Sequence, residues 1–212
     1  MSKIKHFICS DWHLGEDRWD LMQRPGFKSA QDMVDKFVEY HNELVGPNDF
    51  VYVVGDAVNQ KTPEFLEQVS RFNGKKILFR GNHDRVFSDE DLKPYFVNVR
   101  KEKDDGMILK VGDIKCYIQH YPTESKKEYF NLVGHIHSAW KYQINAFNVG
   151  VDCNHYRPHS IGTAVPFAFN AINKFYDDDV WVCNHESQSP WYDERGKKGR
   201  YLDVDGFVGG KK

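Results

Sequence analysis

Asp11-Trp12-His13, Gly55-Asp56, Gly81-Asn82-His83-Asp84, His120 and Gly134-His135-Ile136-His137 are the segments whose residue types and spacing could do chemistry. Their donors are carboxylate and amide oxygens and imidazole nitrogens, a set that suits divalent transition metals. No thiolate is among them. Two cations held close together need a carboxylate that can bridge them and enough neutral imidazoles to keep the total charge low. Asp11, Asp56, Asn82, His13, His120, His135 and His137 meet that need. Taken singly, each motif is commonplace: Gly-Asp is a frequent turn dipeptide, and Asp-x-His occurs in many proteins. As an ordered set they point to a metal centre.

The elements that must position these residues are legible around them. Every cluster follows an apolar run. Residues 4–9 read as a buried strand leading into Asp11, and 50–54 as a strand buried on both faces that delivers Gly55-Asp56. Residues 77–79 do the same for Gly81-Asn82. Between them, a helix capped by Ser29 carries Met33, Val34, Phe37, Val38, His41, Leu44 and Val45 at helical period and stops at Gly46-Pro47. A second helix is expected from the cap Thr62 and first-turn Pro63, through Phe65, Leu66, Val69 and Phe72. Alternating strands and helices imply parallel crossovers, whose carboxyl edge is where sites assemble. After about residue 94 the pattern changes to strands at 96–100, 107–111, 114–119, 131–133 and 144–149, with Gly112-Asp113 as a hairpin turn. This half is expected to be a mostly antiparallel sheet, also ending in histidines. Beyond it, a helix is expected around 169–176, a strand around 180–183 and a polar tail from Ser187.

The ordered set Asp11-x-His13, Gly55-Asp56, Gly81-Asn82-His83-Asp84, His120 and Gly134-His135-x-His137 resembles the five-block signature of calcineurin-like metallophosphoesterases. The resemblance covers residues 4–160. It is nearest to small bacterial and phage phosphoesterases, which carry an Arg-Pro segment after the first block, here Arg24-Pro25. They also share Asn-Val-x-Val-Asp followed by Tyr-x-Pro, here Asn148 to Asp152 and Tyr156 to Pro158. The resemblance implies an α/β fold of two facing mixed β-sheets flanked by helices, with the metal site at one edge of the sandwich. The domain is expected over 1–186 (core motifs 4–160, extension 161–186), followed by the tail 187–212. It also implies a division of labour: Asp11, His13 and His137 on a first metal, Asp56 bridging, and Asn82, His120 and His135 on a second. His83 is the residue of its motif that does not ligate. It would donate a proton or hydrogen bond to the leaving-group oxygen, with Asp84 orienting its imidazole. The nucleophile in such a binuclear centre is a metal-bridging hydroxide, made available near neutral pH by the paired cations.

Around that centre, Arg85 and Arg24 are candidates for gripping substrate phosphate. Arg80 is a third candidate, ranked below them because it ends a strand and also reads as a solvated cap. Trp12 is expected to pack beneath the site, and His155, Tyr156 and His159 to line a loop near it. His6, His41 and His185 read as ordinary histidines. The donor set admits manganese, iron, zinc, cobalt or nickel without choosing among them.

Bulk properties bound the partners. At 212 residues the chain suits one substantial α/β core. Lys and Arg number 29 against 31 Asp and Glu, for a net charge of −2, so nothing announces a polyanion partner. The expected substrate is a small phosphomono- or phosphodiester of nucleotide-like character. The alternative is a nuclease of the same superfamily, using lysine-rich stretches such as 101–103 and 126–127 as a groove. A third reading, a non-catalytic metal-stabilised scaffold, is disfavoured because all seven ligand positions and His83 are present. The scattered cysteines Cys9, Cys116, Cys153 and Cys183 have no zinc-finger spacing and suggest a reduced, cytoplasmic protein. The chain is expected to carry no signal peptide and no membrane span, and its oligomeric state is open.

Overall fold

The computed structural model describes residues 3–18, 24 and 26–173, together with the short strands Leu202–Asp203 and Phe207–Val208. The chain divides into two compact units, Met1–Ala168 and Phe169–Lys212.

In the first unit, β1 (His6–Cys9), β2 (Phe50–Val53), β3 (Lys75–Phe79) and β4 (Asn98–Arg100) run parallel in that spatial order, and β10 (His159–Ser160) closes the β1 edge antiparallel. The facing sheet has the order β5-β6-β7-β9-β8, where β5 is Met107–Val111, β6 Ile114–Ile118, β7 Phe130–Val133, β8 Tyr142–Gln143 and β9 Ala146–Asn148. It is mixed rather than mostly antiparallel. The β5–β6 hairpin turns at Gly112-Asp113 as expected, and β8 runs antiparallel to β9, but β6, β7 and β9 are parallel to one another. The strand expected at 96–100 joins the first sheet as β4 instead of the second.

This topology has one consequence for the site. β1, β2 and β3 are parallel, so their carboxyl ends share one edge, and β6, β7 and β9 likewise end together. A parallel bridge between Ser10 and Gly150 ties the two edges, with the Val151 N–H donating to the Ser10 carbonyl at 3.0 Å.

The helices cover the outer face of the first sheet. In α1 (Ala30–Asn42), Ser29 accepts the Asp32 N–H at 3.0 Å, and Met33, Val34, Phe37 and His41 form the buried stripe. These pack on Phe7, Cys9, Val51 and Val53, while strand alternation turns Ile8 and Tyr52 toward the second sheet. Burying a side chain such as Phe37 contributes roughly 1.5–3 kcal/mol, which is the main support for so short a helix.

Pro63–Arg71 is a 3-10 helix rather than an α-helix, and Thr62 does not cap it. The Thr62 hydroxyl lies instead on the Gly15 carbonyl at 3.2 Å, which ties the segment to the loop after β1. A short helix α2 (Asp89–Leu92) carries a full capping box from Ser88 and Asp91. The last helix, α3 (Ile161–Asn173), begins eight residues before the expected start and continues through Pro166. In the second unit, β11 (Leu202–Asp203) pairs antiparallel with β12 (Phe207–Val208). The strand expected at 180–183, His185 and the rest of the tail from 187 lie outside the described residues. Among the described residues, no helix is long and apolar enough to cross a membrane.

Candidate metal centre

The expected ligands leave the strand ends on tight, left-handed turns. Asp11 (φ 60°), His13 (φ 47°), Asp56 (φ 52°), His135 (φ 76°) and His137 (φ 48°) all occupy the region that side-chain-bearing residues avoid. Each such residue costs of order 1–3 kcal/mol and persists where its surroundings over-determine it. Here they do. The N–H groups of Asp11, His13 and Leu14 donate to the carbonyls of Gly55, Asp56 and Ala57, each at 3.0 Å, so the first two ligand turns are laced side by side. Glycine is needed where ligands crowd the backbone: a Cβ at Gly81 would stand within 2.7 Å of His120 Nε2 and closer still to the Asp56 carboxylate.

Three overlapping groups of side chains converge. They are Asp11, His13 and His137; His13, Asp56 and His83; and Asp56, His120 and His135, and within each group the donor atoms lie within 4.8 Å of one another. Asp56 Oδ2 is 3.5 Å from His13 Nε2 and 3.4 Å from His120 Nε2. Its other oxygen accepts the His83 N–H at 2.8 Å. Both carboxylate oxygens of Asp11 take the His135 N–H, at 3.0 and 3.1 Å, so this ligand of the first sheet also holds a ligand turn of the second. Ser10, which sequence reasoning passed over, adds a hydroxyl hydrogen bond to the same carboxylate.

The residues fit a metal. His13 Nδ1 and Nε2, His120 Nε2 and Asn82 Oδ1 are buried without a hydrogen-bond partner, and each such atom costs about 1–3 kcal/mol unless something meets it. Cations would meet one nitrogen of His13, His120 Nε2 and Asn82 Oδ1. Burial works against charge on His120, yet the Asp56 carboxylate 3.4 Å from Nε2 and the Asp11 charge raise its pKa to about 9. Against the same burial, His120 and His13 hold Asp56 well below the usual carboxylate range. Burial pushes the Asp11 carboxyl up, and the neighbouring Asp56 charge adds to that.

Two expected roles are corrected. Asp84 does not orient the His83 imidazole. Its fully buried carboxylate accepts the N–H groups of Asp56 (2.8 Å), Ala57 (3.0 Å) and Gly81 (2.9 Å), so it clamps the turns carrying Asp56 and Asn82. Burial and the Asp56 charge push its pKa up to about 7 against the pull of those donors. His83 Nδ1 is buried without a partner, and its ring packs edge-on to His13 at 4.4 Å. Burial lowers the pKa of that imidazole.

Arg24 is likewise no phosphate grip. Its side chain is fully buried, pairing with Asp152 through Nε at 2.6 Å. Arg80 holds the Asp84 and Phe87 carbonyls, each at 2.8 Å. Arg85 stays at the surface, forked onto Glu102, whose other contact is the Tyr121 hydroxyl at 2.5 Å. The Tyr121 ring stands 4.8 Å from those of His120 and His135, so this exposed arginine sits at the rim of the centre. Trp12 packs beneath the site as expected, stacked on Phe72 at 4.4 Å.

The motifs around 148–158 have structural work. Asn148 staples the loop after His137 by donating to the His137 and Trp140 carbonyls, each at 2.7 Å. Asp152 Oδ2 accepts from His137 Nδ1 at 2.8 Å, and Tyr156 stacks on Phe37 at 5.2 Å. Glu16, buried and bonded to Asn59 at 2.6 Å, braces the loops three residues past His13 and Asp56. The sequence carried no signal for that brace, because it depends on the Leu14–Val58 bridge.

The family model for calcineurin-like phosphoesterases matches residues 4–186. An uncharacterised protein of Methanocaldococcus jannaschii, MJ1445, is 24% identical over 177 residues, covering 78% of this chain and 92% of that protein. The crystal structure of AQ665 from Aquifex aeolicus, a protein of unknown function, superposes with a TM-score of 0.59 at 23% identity, covering 78% of this chain and all (100%) of that one. An archaeal phosphodiesterase aligns with a TM-score of 0.40 at 18% identity, over 69% of this chain and 82% of its own.

Proposed function

The chain belongs to the calcineurin-like phosphoesterase family and is a metal-dependent phosphoester hydrolase; from that premise we propose that it hydrolyses small, nucleotide-like phosphomono- or phosphodiesters at a binuclear centre. The observation that carries this reading is the placement of Asp56 Oδ2 between His13 and His120, at 3.5 and 3.4 Å, where one carboxylate can serve two cations. Asp11, His13 and His137 would hold the first and Asn82, His120 and His135 the second, with manganese, iron, zinc, cobalt or nickel all compatible with the donors. Two divalent cations there would acidify a water and neutralise charge on the phosphoryl oxygens during in-line displacement.

The chain's own residues supply the rest. His83 faces the same space as the ligands. With its pKa lowered by burial it stands neutral near pH 7 and presents an N–H to the leaving-group oxygen. Asp84 keeps the turns of Asp56 and Asn82 in place. Arg85, at the rim, meets the substrate's outer phosphate oxygens. The net charge of −2 favours a small ester over a nucleic-acid polymer. The buried free thiols Cys9 and Cys116 suit a reducing, cytoplasmic setting. The family match ends at 186, which supports a phosphoesterase domain of 1–186 with the tail outside it.

The test is hydrolysis of bis-p-nitrophenyl phosphate and p-nitrophenyl phosphate by chelator-stripped protein with each metal added back. Turnover that requires metal is expected, and the preferred ester directs the search for the natural one. No turnover with any metal, in protein that binds two ions, would sink the reading.

A further inference from the structure

A fully buried arginine is costly, because the guanidinium cannot shed its proton and each unmet donor adds to the penalty. Arg24 is 0% exposed, and its contacts explain how it is tolerated. Nε and Nη2 fork onto Asp152 Oδ1 and Oδ2 at 2.6 and 3.0 Å. Nη2 also donates to the Asp11 carbonyl at 2.5 Å, and Nη1 to the Trp12 carbonyl at 2.9 Å. Those two carbonyls belong to the left-handed turn that carries Asp11 and His13. On the far side of the pair, Asp152 Oδ2 accepts a hydrogen bond from His137 Nδ1–H at 2.8 Å, which leaves His137 Nε2 as the free lone pair.

One ion pair therefore touches Asp11 through its carbonyl, His13 through the peptide before it and His137 through its ring. We propose that Arg24 and Asp152 are a positioning pair for the Asp11–His13–His137 side of the centre, holding one ligand turn and one imidazole tautomer as a unit. The other side is built differently: His120 Nδ1 lies on a main-chain carbonyl, that of Val54, at 2.7 Å. This inference rests on the reading of these side chains as metal ligands and is independent of which ester is cleaved.

The experiment is Mn²⁺ titration by calorimetry of the chelator-stripped full-length chain, with no ester present. The variants are Asp152→Asn and Arg24→Lys, with Asp35→Asn, which breaks an exposed ion pair on α1, as control. Circular dichroism and Tm establish that each is folded. Loss of such an outer partner weakens metal binding about ten- to hundred-fold. That loss is expected for both variants, with the double variant little worse than either single one, and Asp35→Asn unchanged. A second readout uses the wild type alone: long-range ¹⁵N–¹H correlation should find the His137 proton on Nδ1. Affinity within twofold of wild type in folded variants, or the proton on Nε2, overturns the positioning pair and leaves the phosphoesterase reading standing. No binding of Mn²⁺, Fe²⁺, Zn²⁺, Co²⁺ or Ni²⁺ by the wild type, each titrated in turn, overturns both.

Discussion

The two sheets contribute unlike halves to the centre. The first brings Asp11, Asp56 and Asn82, every oxygen donor, on turns that are buried and laced to one another through Gly55, Asp56, Ala57 and Asp84. The second brings only imidazoles, and the turn carrying His135 and His137 is partly open to solvent. Charge is therefore concentrated where the backbone is most constrained. The open imidazoles, His135 and His137, lie on the side that faces solvent, a division that lets a site bind cations tightly and still admit a substrate.

The largest expected effect tests the first half. Asp56→Asn should lower kcat/KM by about a thousand-fold or more, roughly 4 kcal/mol, and excess Mn²⁺ should not restore it. A variant that keeps most of its activity would remove Asp56 from the shared position. For comparison, His135→Ala in the second half should lose about ten- to hundred-fold in activity at limiting metal and recover much of it as Mn²⁺ is raised. Equal resistance to rescue in the two variants would erase the contrast between the sheets.

His83→Ala sharpens it further, because His83 belongs to the first sheet yet is read as a non-ligand. Metal stoichiometry should be unchanged while the rate falls about a hundred-fold or more for esters with poor leaving groups, and less for p-nitrophenol esters. Equal losses for both would argue against hydrogen bonding to the leaving oxygen.

The next effect is on stability. Asp84→Ala leaves three buried N–H groups unmet and should cost about 3–5 kcal/mol, read as a lower denaturation midpoint with the metal already stripped away.

The smallest concerns pH. His41 lies beneath Trp12, the residue between Asp11 and His13, with ring centroids 5.8 Å apart. Burial lowers its pKa to about 4, below the unfolded value of about 6.5. Between those limits the unfolded chain binds more protons, so His41 costs the fold up to about 3 kcal/mol as pH falls from 6.5 toward 4. In metal-free protein, His41→Leu should flatten that part of the Tm–pH curve. An unchanged slope would show that other groups carry the acid sensitivity.

Much of this molecule was legible before its structure. Strands end where apolar runs end, so the exits of β1, β2, β3, β6 and β7 at Asp11, Asp56, Asn82, His120 and His135 followed from local pattern and turn residues. The direction in which strands pair is not local, and so β4 was placed in the wrong sheet and the parallel pairing of β6, β7 and β9 was missed. The same limit applies to side chains. Arg24 beside Pro25 and Gly26 looks like a surface turn residue, and only the fold, by bringing up Asp152 from 128 positions away, makes it a core residue. Asp84 was misassigned for a related reason: its partners are main-chain N–H groups, which every residue but proline possesses and none advertises.

The left-handed backbone at five ligand positions bears on any attempt to move this centre elsewhere. Grafting aspartates and histidines at matching spacing onto a regular sheet edge would point them in the wrong directions, because the ligand set is written partly in main-chain torsion. A recipient scaffold must already reverse at each strand exit, or accept glycine there and give up the donor.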